Sequence, residues 1–130
     1  YFAKDFEDYK KGFLKMQNNV DILLLLSDGG LYDDKIDELN AFIAENSRIP
    51  SGASYDFMAP RVLITFAKVA QEQGRWSAQT AIKILDGASP SSIPIAQNKE
   101  GQLIINAKLA IKMGMDIPYE LAEMADQIIE

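Results

Sequence analysis

Apolar residues recur along the chain with two different spacings, and these spacings predict helices that alternate with strands. A spacing of three to four residues predicts amphipathic helices at residues 5–17, 33–46, 70–86 and 107–113, and from Pro118 onward. Short apolar or β-branched runs between turn residues predict strands at residues 20–26, 49–53, 62–67, 93–97 and 102–106. The alternation predicts an α/β fold with three layers, in which a largely parallel sheet is flanked by helices.

The first predicted strand ends in a loop that is a candidate for ligand binding. The strand contains four consecutive leucines, residues 23–26, which we expect to be buried on both faces of a parallel sheet. The sequence Ser27-Asp28-Gly29-Gly30 follows, and ligands of such sheets bind outside the carboxyl ends of the strands. Asp28 could then hydrogen-bond a ligand that approaches the glycine backbone. In the alternative, the loop only turns the chain, with Asp28 accepting from backbone donors and the glycines adopting positive φ.

Other residues predict where the helices begin and end and which side they bury. Asp33 is suited to cap the amino terminus of the second helix, and Gly87 is suited to a left-handed position after the third. The third helix carries an apolar stripe that we expect to face the core. The stripe consists of Ala78, Ala81, Ile82 and Leu85.

A second candidate loop, "PSGASYDFMAP" at residues 50–60, concentrates Ser, Tyr, Phe and Met. This mixture is typical of sites that enclose an aromatic or apolar solute with a few polar anchors. In the alternative, the loop is an ordinary connection in which Phe57 and Met58 fill the core.

Charge balance and missing residue types narrow the function. The 130 residues include 13 Lys and Arg against 19 Asp and Glu, a net charge of −6 without a basic cluster, so we expect no nucleic-acid partner. The chain has no Cys and no His, which excludes thiol nucleophiles, Ser-His-Asp triads and nearly all zinc sites. Proton transfer would have to rely on carboxylates, Lys and Tyr.

A carboxylate-based metal site is the chemical alternative that remains. Asp28, Asp33 and Asp34 could hold Mg²⁺, and with Lys68 they resemble the phosphoacceptor site of a response-regulator receiver. That site needs an acidic pair at the end of an earlier strand, and no strand is predicted before Val20. A carboxylate-dependent metal enzyme is therefore the weakest of the functions considered.

Spaced residues in the second half of the chain match a known family in order. They are Lys68-Val69, Glu72-Gln73-Gly74, Ile84-Leu85 with Gly87, Pro90, Ile93-Pro94, Asn98, Ile105-Asn106, Leu109-Ala110, Gly114 and Ile117-Pro118. Through these residues the chain resembles the C-terminal part of ABC-transporter substrate-binding proteins. Upstream, "DFEDYKKGFLKMQNNVDILLL" and "IPSGASYDFMAP" are similar to the helix, strand and lobe-connecting segment that precede it in that family. Tyr32-Asp33 departs from the family, where a Trp-Asp pair is expected.

The resemblance implies part of a type I periplasmic-binding-protein fold, in which two α/β lobes joined by crossing strands close on a solute. Residues 1–55 and 97–130 would be second-lobe-like and residues 60–95 first-lobe-like, so the chain would be one α/β unit and a C-terminal fragment of a longer protein. A fragment exposes apolar surface and an unpaired strand edge, which predicts self-association of copies or refolding into one compact unit.

The same resemblance implies the solute-binding component of an ABC importer, which captures a small solute such as an amino acid and delivers it to a membrane permease. Such a protein performs no catalysis, needs no cofactor or metal, and acts in the periplasm or another extracytoplasmic space. No signal-peptide pattern is present in the chain. The alternative from another class is an extracytoplasmic ligand-sensing domain of a signalling receptor.

On this interpretation the ligand cleft is built by two loops at strand ends. The first loop contributes Ser27, Asp28, Gly29 and Tyr32, and the second contributes Ser54, Tyr55 and Met58. Asp28 would pair with a polar or cationic group, Gly29 would offer backbone donors, and Tyr55 with Met58 would line the apolar side.

Overall fold

The computed structural model describes residues 1–130, and five strands in it form one sheet. The strands are β1 (Leu23–Leu24), β2 (Ser51–Ala53), β3 (Ile64–Lys68), β4 (Gly101–Asn106) and β5 (Gln127–Ile129), side by side in chain order. The helices are α1 (Phe6–Met16), α2 (Ile36–Asn46), α3 (Ala70–Leu85), α4 (Ala107–Met113) and α5 (Tyr119–Glu123). Only β3 and β4 pair antiparallel, so the predicted α/β fold with a largely parallel sheet and flanking helices is confirmed.

Helices α1 and α2 share an aromatic and aliphatic core that covers one face of β1. The buried members of this core are Phe6, Phe13, Tyr32, Leu39 and Ile43. Leu23 and Leu25 of the first strand region pack against them from the sheet. The apolar residues that recur at helical spacing along α1 and α2 therefore face a shared core, as the amphipathic pattern predicts.

The prediction that all four leucines lie in the core is wrong for two of them. Leu24 is 65% exposed and Leu26 is 66% exposed, whereas Leu23 and Leu25 on the opposite face are half-buried. The reason is that β1 is a two-residue edge strand whose second face is not covered by another element. The predicted strand at residues 20–26 is correspondingly shorter in the structure.

Strands β3 and β4 form an antiparallel ribbon through which the chain leaves the sheet and returns. Their register runs from Ile64 opposite Ile105 to Lys68 opposite Gly101. Residues 69–100, which we call the arm, lie between these two strands and contain α3. The arm is fastened near the sheet by Glu72, whose carboxylate accepts from the backbone N–H groups of Lys99 at 2.8 Å and Glu100 at 3.0 Å.

The apolar stripe of α3 does not face a core, which corrects the prediction. No residue of this helix is buried, and Ile82 is 58% exposed and Leu85 85% exposed, with Ala78 and Ala81 exposed as well. The predicted strand at residues 93–97 is also not formed, because no neighbouring strand is present to pair with its backbone. The arm thus contains a helix, but no other element packs on the apolar face of that helix.

Helix ends agree with the sequence in one case and differ in another. Gly87 has φ +102° and follows α3 in a Schellman arrangement, in which its N–H and that of Ala88 donate to carbonyls of the last turn, as predicted. Asp33 is not the cap of α2, because Asp33–Lys35 form a 3₁₀ turn ahead of that helix. The helix after Pro118 ends at Glu123, and β5, which the sequence did not predict, pairs with β4.

Candidate functional site

The two candidate loops lie at the same edge of the sheet. Leu24 of β1 is paired with Gly52 of β2, so the segments that follow the two parallel strands leave the sheet side by side. Ser27–Gly30 follows β1, and the segment from Ser54 to the 3₁₀ turn Asp56–Arg61 follows β2. The two candidate loops therefore lie beside each other at the carboxyl ends of β1 and β2.

The loop after β1 is a tight turn whose polar side chains satisfy its own backbone. Ser27 Oγ accepts from the N–H of Gly29 at 3.1 Å, and Asp28 Oδ1 accepts from the N–H of Gly30 at 3.0 Å. Gly29 and Gly30 have φ of +66° and +83°, backbone angles that residues with a Cβ rarely adopt. The turn interpretation accounts for each of these residues, and the Gly29 N–H expected to be free for ligand is already used.

Asp28 has a second partner that sequence analysis did not identify. Its Oδ2 lies 3.4 Å from Nη1 of Arg61, a side chain that is only 7% exposed. Arg61 also donates through Nε to Oδ1 of Asn40 at 3.1 Å, and its Nη1 lies 3.5 Å from Sδ of Met58. A nearly buried arginine thus connects α2 with the two loops at the carboxyl edge of the sheet.

Tyr32 lies deeper than a ligand contact would require. It is 5% exposed, its ring is 5.4 Å from that of Phe6 and 5.5 Å from that of Tyr9, and its hydroxyl donates to the carbonyl of Asp5 at 3.3 Å. Burial raises the pKa of Tyr32, and the Asp28 carboxylate adds to the rise. Its place is the aromatic core formed by α1 and α2.

The loop after β2 divides into exposed and buried residues. Tyr55 and Phe57 are 42% and 51% exposed and stack with their ring centroids 5.3 Å apart, while Ser54 is exposed beside them. Met58 is 3% exposed and packs with Ala53 and Val62. Filling of the core therefore holds for Met58 but not for Phe57, and Tyr55 with Phe57 forms an aromatic surface at the sheet edge.

Neither of two open cavities is lined by the predicted site residues. One, of about 580 Å³, lies in the arm between α3 and residues 96–100, with Trp76 and Arg75 in its wall. The other, of about 350 Å³, lies between the turn at Phe57 and the β4–β5 pair, beside Gln102 and Gln127.

The carboxylates considered for a magnesium site are not assembled into one. No group of three or more acidic residues in the chain lies close enough to hold a metal ion. Asp28 is instead engaged by Arg61 and by the backbone of Gly30. The structure also contains no helix of the length and apolarity that crossing a bilayer demands.

Comparison with known proteins identifies the family. The profile of the family described as ABC transporter substrate binding protein matches residues 1–129. The chain belongs to this family. The resemblance found in the sequence is thereby confirmed over nearly the whole chain. No curated protein sequence matches the chain closely enough to count as a relative.

Solved structures share the fold at low sequence identity. The ABC domain in complex with L-Trp from Streptococcus pneumonia is 19% identical with a TM-score of 0.72, and the match covers 99% of this chain and 43% of that one. A conserved domain protein from Vibrio cholerae is 19% identical with a TM-score of 0.68, covering 97% and 42%. A substrate-binding protein with adhesive properties from Clostridium difficile, in a ligand-free, open structure, is 22% identical with a TM-score of 0.69, covering 95% and 41%. The chain thus spans less than half the length of these proteins.

Proposed function

We propose that the chain is part of the solute-binding component of an ABC importer, which captures a small solute between two lobes and delivers it to a membrane permease. The observation that carries the proposal is the convergence of the Ser27–Gly30 and Ser54–Met58 segments at one sheet edge. The carboxyl edge is where open α/β sheets bind ligands. Family membership supports the transport role. On this proposal the protein acts outside the cytoplasm and binds its solute without catalysis.

The two lobes are assigned within the chain as follows. Residues 1–55 and 97–130 belong to a second lobe, and residues 60–95, which include most of the arm, belong to a first lobe. Support comes from the antiparallel β3–β4 ribbon, which leads out of the sheet at Lys68 and back at Gly101. The solved proteins, whose chains are more than twice as long as the matched part, supply room for the remaining first-lobe elements.

The exposed apolar face of the arm is the surface that the rest of the first lobe would cover. Its exposed side chains include Leu85 and Ile95, at 85% and 98% exposure, and the helix buries none of its residues. The isolated chain of residues 1–130 should therefore self-associate through the arm. Gel filtration with light scattering should give a mass above one chain, and Leu85→Asp should lower it, whereas Ser77→Asp adds the same charge at a polar position and should not. A monomer with no binding of an apolar dye would contradict the assignment.

Amino acids are the solutes to test first. One structural neighbour was solved with L-Trp bound, and the stacked Tyr55–Phe57 pair offers an aromatic surface at the proposed cleft. A solute with an aromatic side chain would bind more tightly by packing against this pair.

A thermal-shift screen of the protein carrying both lobes tests the function. The probes are the twenty L-amino acids, a set of neutral sugars, nucleosides and Mg²⁺. A solute that binds only the folded state at 100 times its Kd adds about 2.7 kcal/mol to the free energy of unfolding, which raises the midpoint clearly. Tyr55→Ala should reduce the response, with Tyr119→Ala as the exposed control on α5. No response to any organic solute, with one to Mg²⁺, would overturn the proposal.

A further inference from the structure

The guanidinium of Arg61 is a nearly buried cation whose hydrogen-bonding capacity is only partly used. Nε donates to Asn40, and Nη1 is shared between Asp28 Oδ2 at the long distance of 3.4 Å and Met58 Sδ at 3.5 Å. Nη2 donates to no acceptor in the protein. A guanidinium has five N–H donors and no acceptor, so charged donors remain available on this side chain.

The free Nη2 reaches the protein surface. Thr65 Oγ1 is the one fully buried side-chain nitrogen or oxygen that lacks a hydrogen-bond partner. Every other fully buried side-chain nitrogen or oxygen has a partner, whereas Nη2 of Arg61 has none. Nη2 is therefore not fully buried, even though only 7% of the whole side chain is exposed. The rest of the guanidinium is held by groups from α2 and from both candidate loops, so this donor is fixed at a small opening of the surface.

A second unpaired donor, the hydroxyl of Tyr9, lies near the same charges. Tyr9 makes no side-chain hydrogen bond and, by the same reasoning, its hydroxyl is not fully buried. Burial raises the pKa of Tyr9 to about 12, an increase that Arg61 opposes and Asp28 reinforces, so the hydroxyl is protonated at neutral pH and feels both charges. Both unpaired groups, the charged N–H of Arg61 and the Tyr9 hydroxyl, are therefore hydrogen-bond donors. A carboxylate, which only accepts and carries negative charge, is complementary to both.

We propose that Arg61 is a specificity-determining residue that binds a carboxylate of the solute through Nη2. The inference rests on the proposed solute-binding function and narrows the solute to carboxylate-bearing molecules. It also changes the role of Asp28, which holds the guanidinium together with Asn40 instead of meeting a cationic group of the solute. The long Asp28–Arg61 distance leaves the charge at Nη2 open to a second anion.

The test compares acids with their amides on the protein carrying both lobes. The probes are the L-amino acid that gives the largest thermal shift, the corresponding amino acid amide, succinate and glucose, each titrated by calorimetry. In the wild type the acid should bind at least about tenfold more tightly than the amide, since a charge-assisted hydrogen bond is lost. Arg61→Gln should abolish this preference by weakening the acid and not the amide, and Arg61→Lys should restore part of it.

Arg75→Gln is the matched control, because Arg75 pairs with Glu100 on the exposed surface of the arm and should leave the preference intact. The midpoint of each unliganded variant shows whether it folds. If Arg61→Gln does not fold, Arg61→Lys replaces it and should show a smaller preference for the acid than the wild type, and an unchanged preference would overturn the proposal.

Equal affinity for acid and amide, or an acid preference that survives in Arg61→Gln, would overturn the proposal while the importer function stands. Tight binding of glucose with no carboxylate bound would do the same. If no organic solute raises the unfolding midpoint in the thermal screen, the solute-binding function is overturned instead, and this inference with it.

Discussion

The buried amide of Asn106 joins three parts of the fold. Its removal should lower the free energy of unfolding far more than a surface substitution does. The residue is 4% exposed, ends β4 and caps α4 by accepting from the N–H of Leu109 at 2.9 Å. Its Nδ2 donates to the carbonyls of Ala59 at 3.1 Å and Pro60 at 3.2 Å. Every hydrogen bond of this amide is therefore made to a backbone group, and a change of side chain elsewhere in the chain cannot replace it.

The contacts give the expected magnitude for Asn106→Ala. Loss of a helix cap costs about 1 kcal/mol. The carbonyls of Ala59 and Pro60 lose their donor, and a buried group left without a partner costs about 1–3 kcal/mol. The substitution should therefore lower the free energy of unfolding by about 2–4 kcal/mol in total. Asn106→Ser keeps an oxygen that can cap α4 but is too short to reach the carbonyls, so it should recover only the cap contribution.

Equilibrium unfolding in urea, followed by far-ultraviolet circular dichroism, measures these differences. Asn98→Ala is the control, because Asn98 is exposed and makes one long side-chain contact of 3.4 Å to Gln73. It should lie within about 0.5 kcal/mol of the wild type. An Asn106→Ala variant that loses less than the control's margin, or a serine variant as stable as the wild type, would refute the role assigned to the amide.

Three further predictions follow from buried polar groups. Gln17 is 6% exposed and accepts from the N–H groups of Arg48 and Ile49, so Gln17→Ala should lose about 2 kcal/mol in the same urea assay, and a loss below about 0.5 would contradict it. Thr65 Oγ1 is buried without a partner, so the isosteric Thr65→Val should gain about 1 kcal/mol in thermal unfolding rather than lose stability. Because the pKa of Tyr9 rises from 10.0 to about 12 on folding, stability is complete below pH 10 and should fall by about 2–3 kcal/mol as the pH approaches 12. Tyr9→Phe should remove this part of the fall, and an unchanged pH profile would contradict the assigned pKa.

Elements with strong local signals are predictable from this sequence. The predicted helix at residues 107–113 is α4 residue for residue, because Asn106 at one end and Gly114 in a left-handed conformation at the other fix its length locally. The predicted helix at residues 5–17 differs from α1 by one residue at each end. In both cases the apolar period lies within the helix and the capping residue lies directly next to it.

Burial is not predictable in the same way, because it depends on what covers a residue. The leucines before Ser27 have the composition of a strand buried on both faces, yet Leu24 and Leu26 are exposed at the sheet edge. The stripe of α3 has the period of a core-facing helix and meets no second element. An apolar pattern reports a surface that can be buried, and only the three-dimensional neighbours determine whether it is.

The candidate site shows the same difference between local contacts, which can be predicted from the sequence, and contacts between distant residues, which cannot. Ser27 to Gly30 can be interpreted from sequence, because each of its contacts spans two residues. Arg61 cannot, since its partners Asp28 and Asn40 precede it by 33 and 21 residues. Neither the Arg61 position nor its neighbours in sequence carry a signal for that pairing. The roles of Ser54 and Tyr55 toward a solute stay predictions.

The segment at residues 59–61 makes stability and site geometry depend on each other. Asn106 holds the carbonyls of Ala59 and Pro60 from the end of β4, while the next side chain, Arg61, is held by Asp28 and Asn40 from the other side. The backbone of this turn is therefore fixed by the end of β4, and the guanidinium of Arg61 is fixed by α2 and the loop after β1. A change that releases either anchor should displace Arg61, so the geometry of the proposed carboxylate contact depends on Asn106 at the end of β4 as well as on the loop after β1.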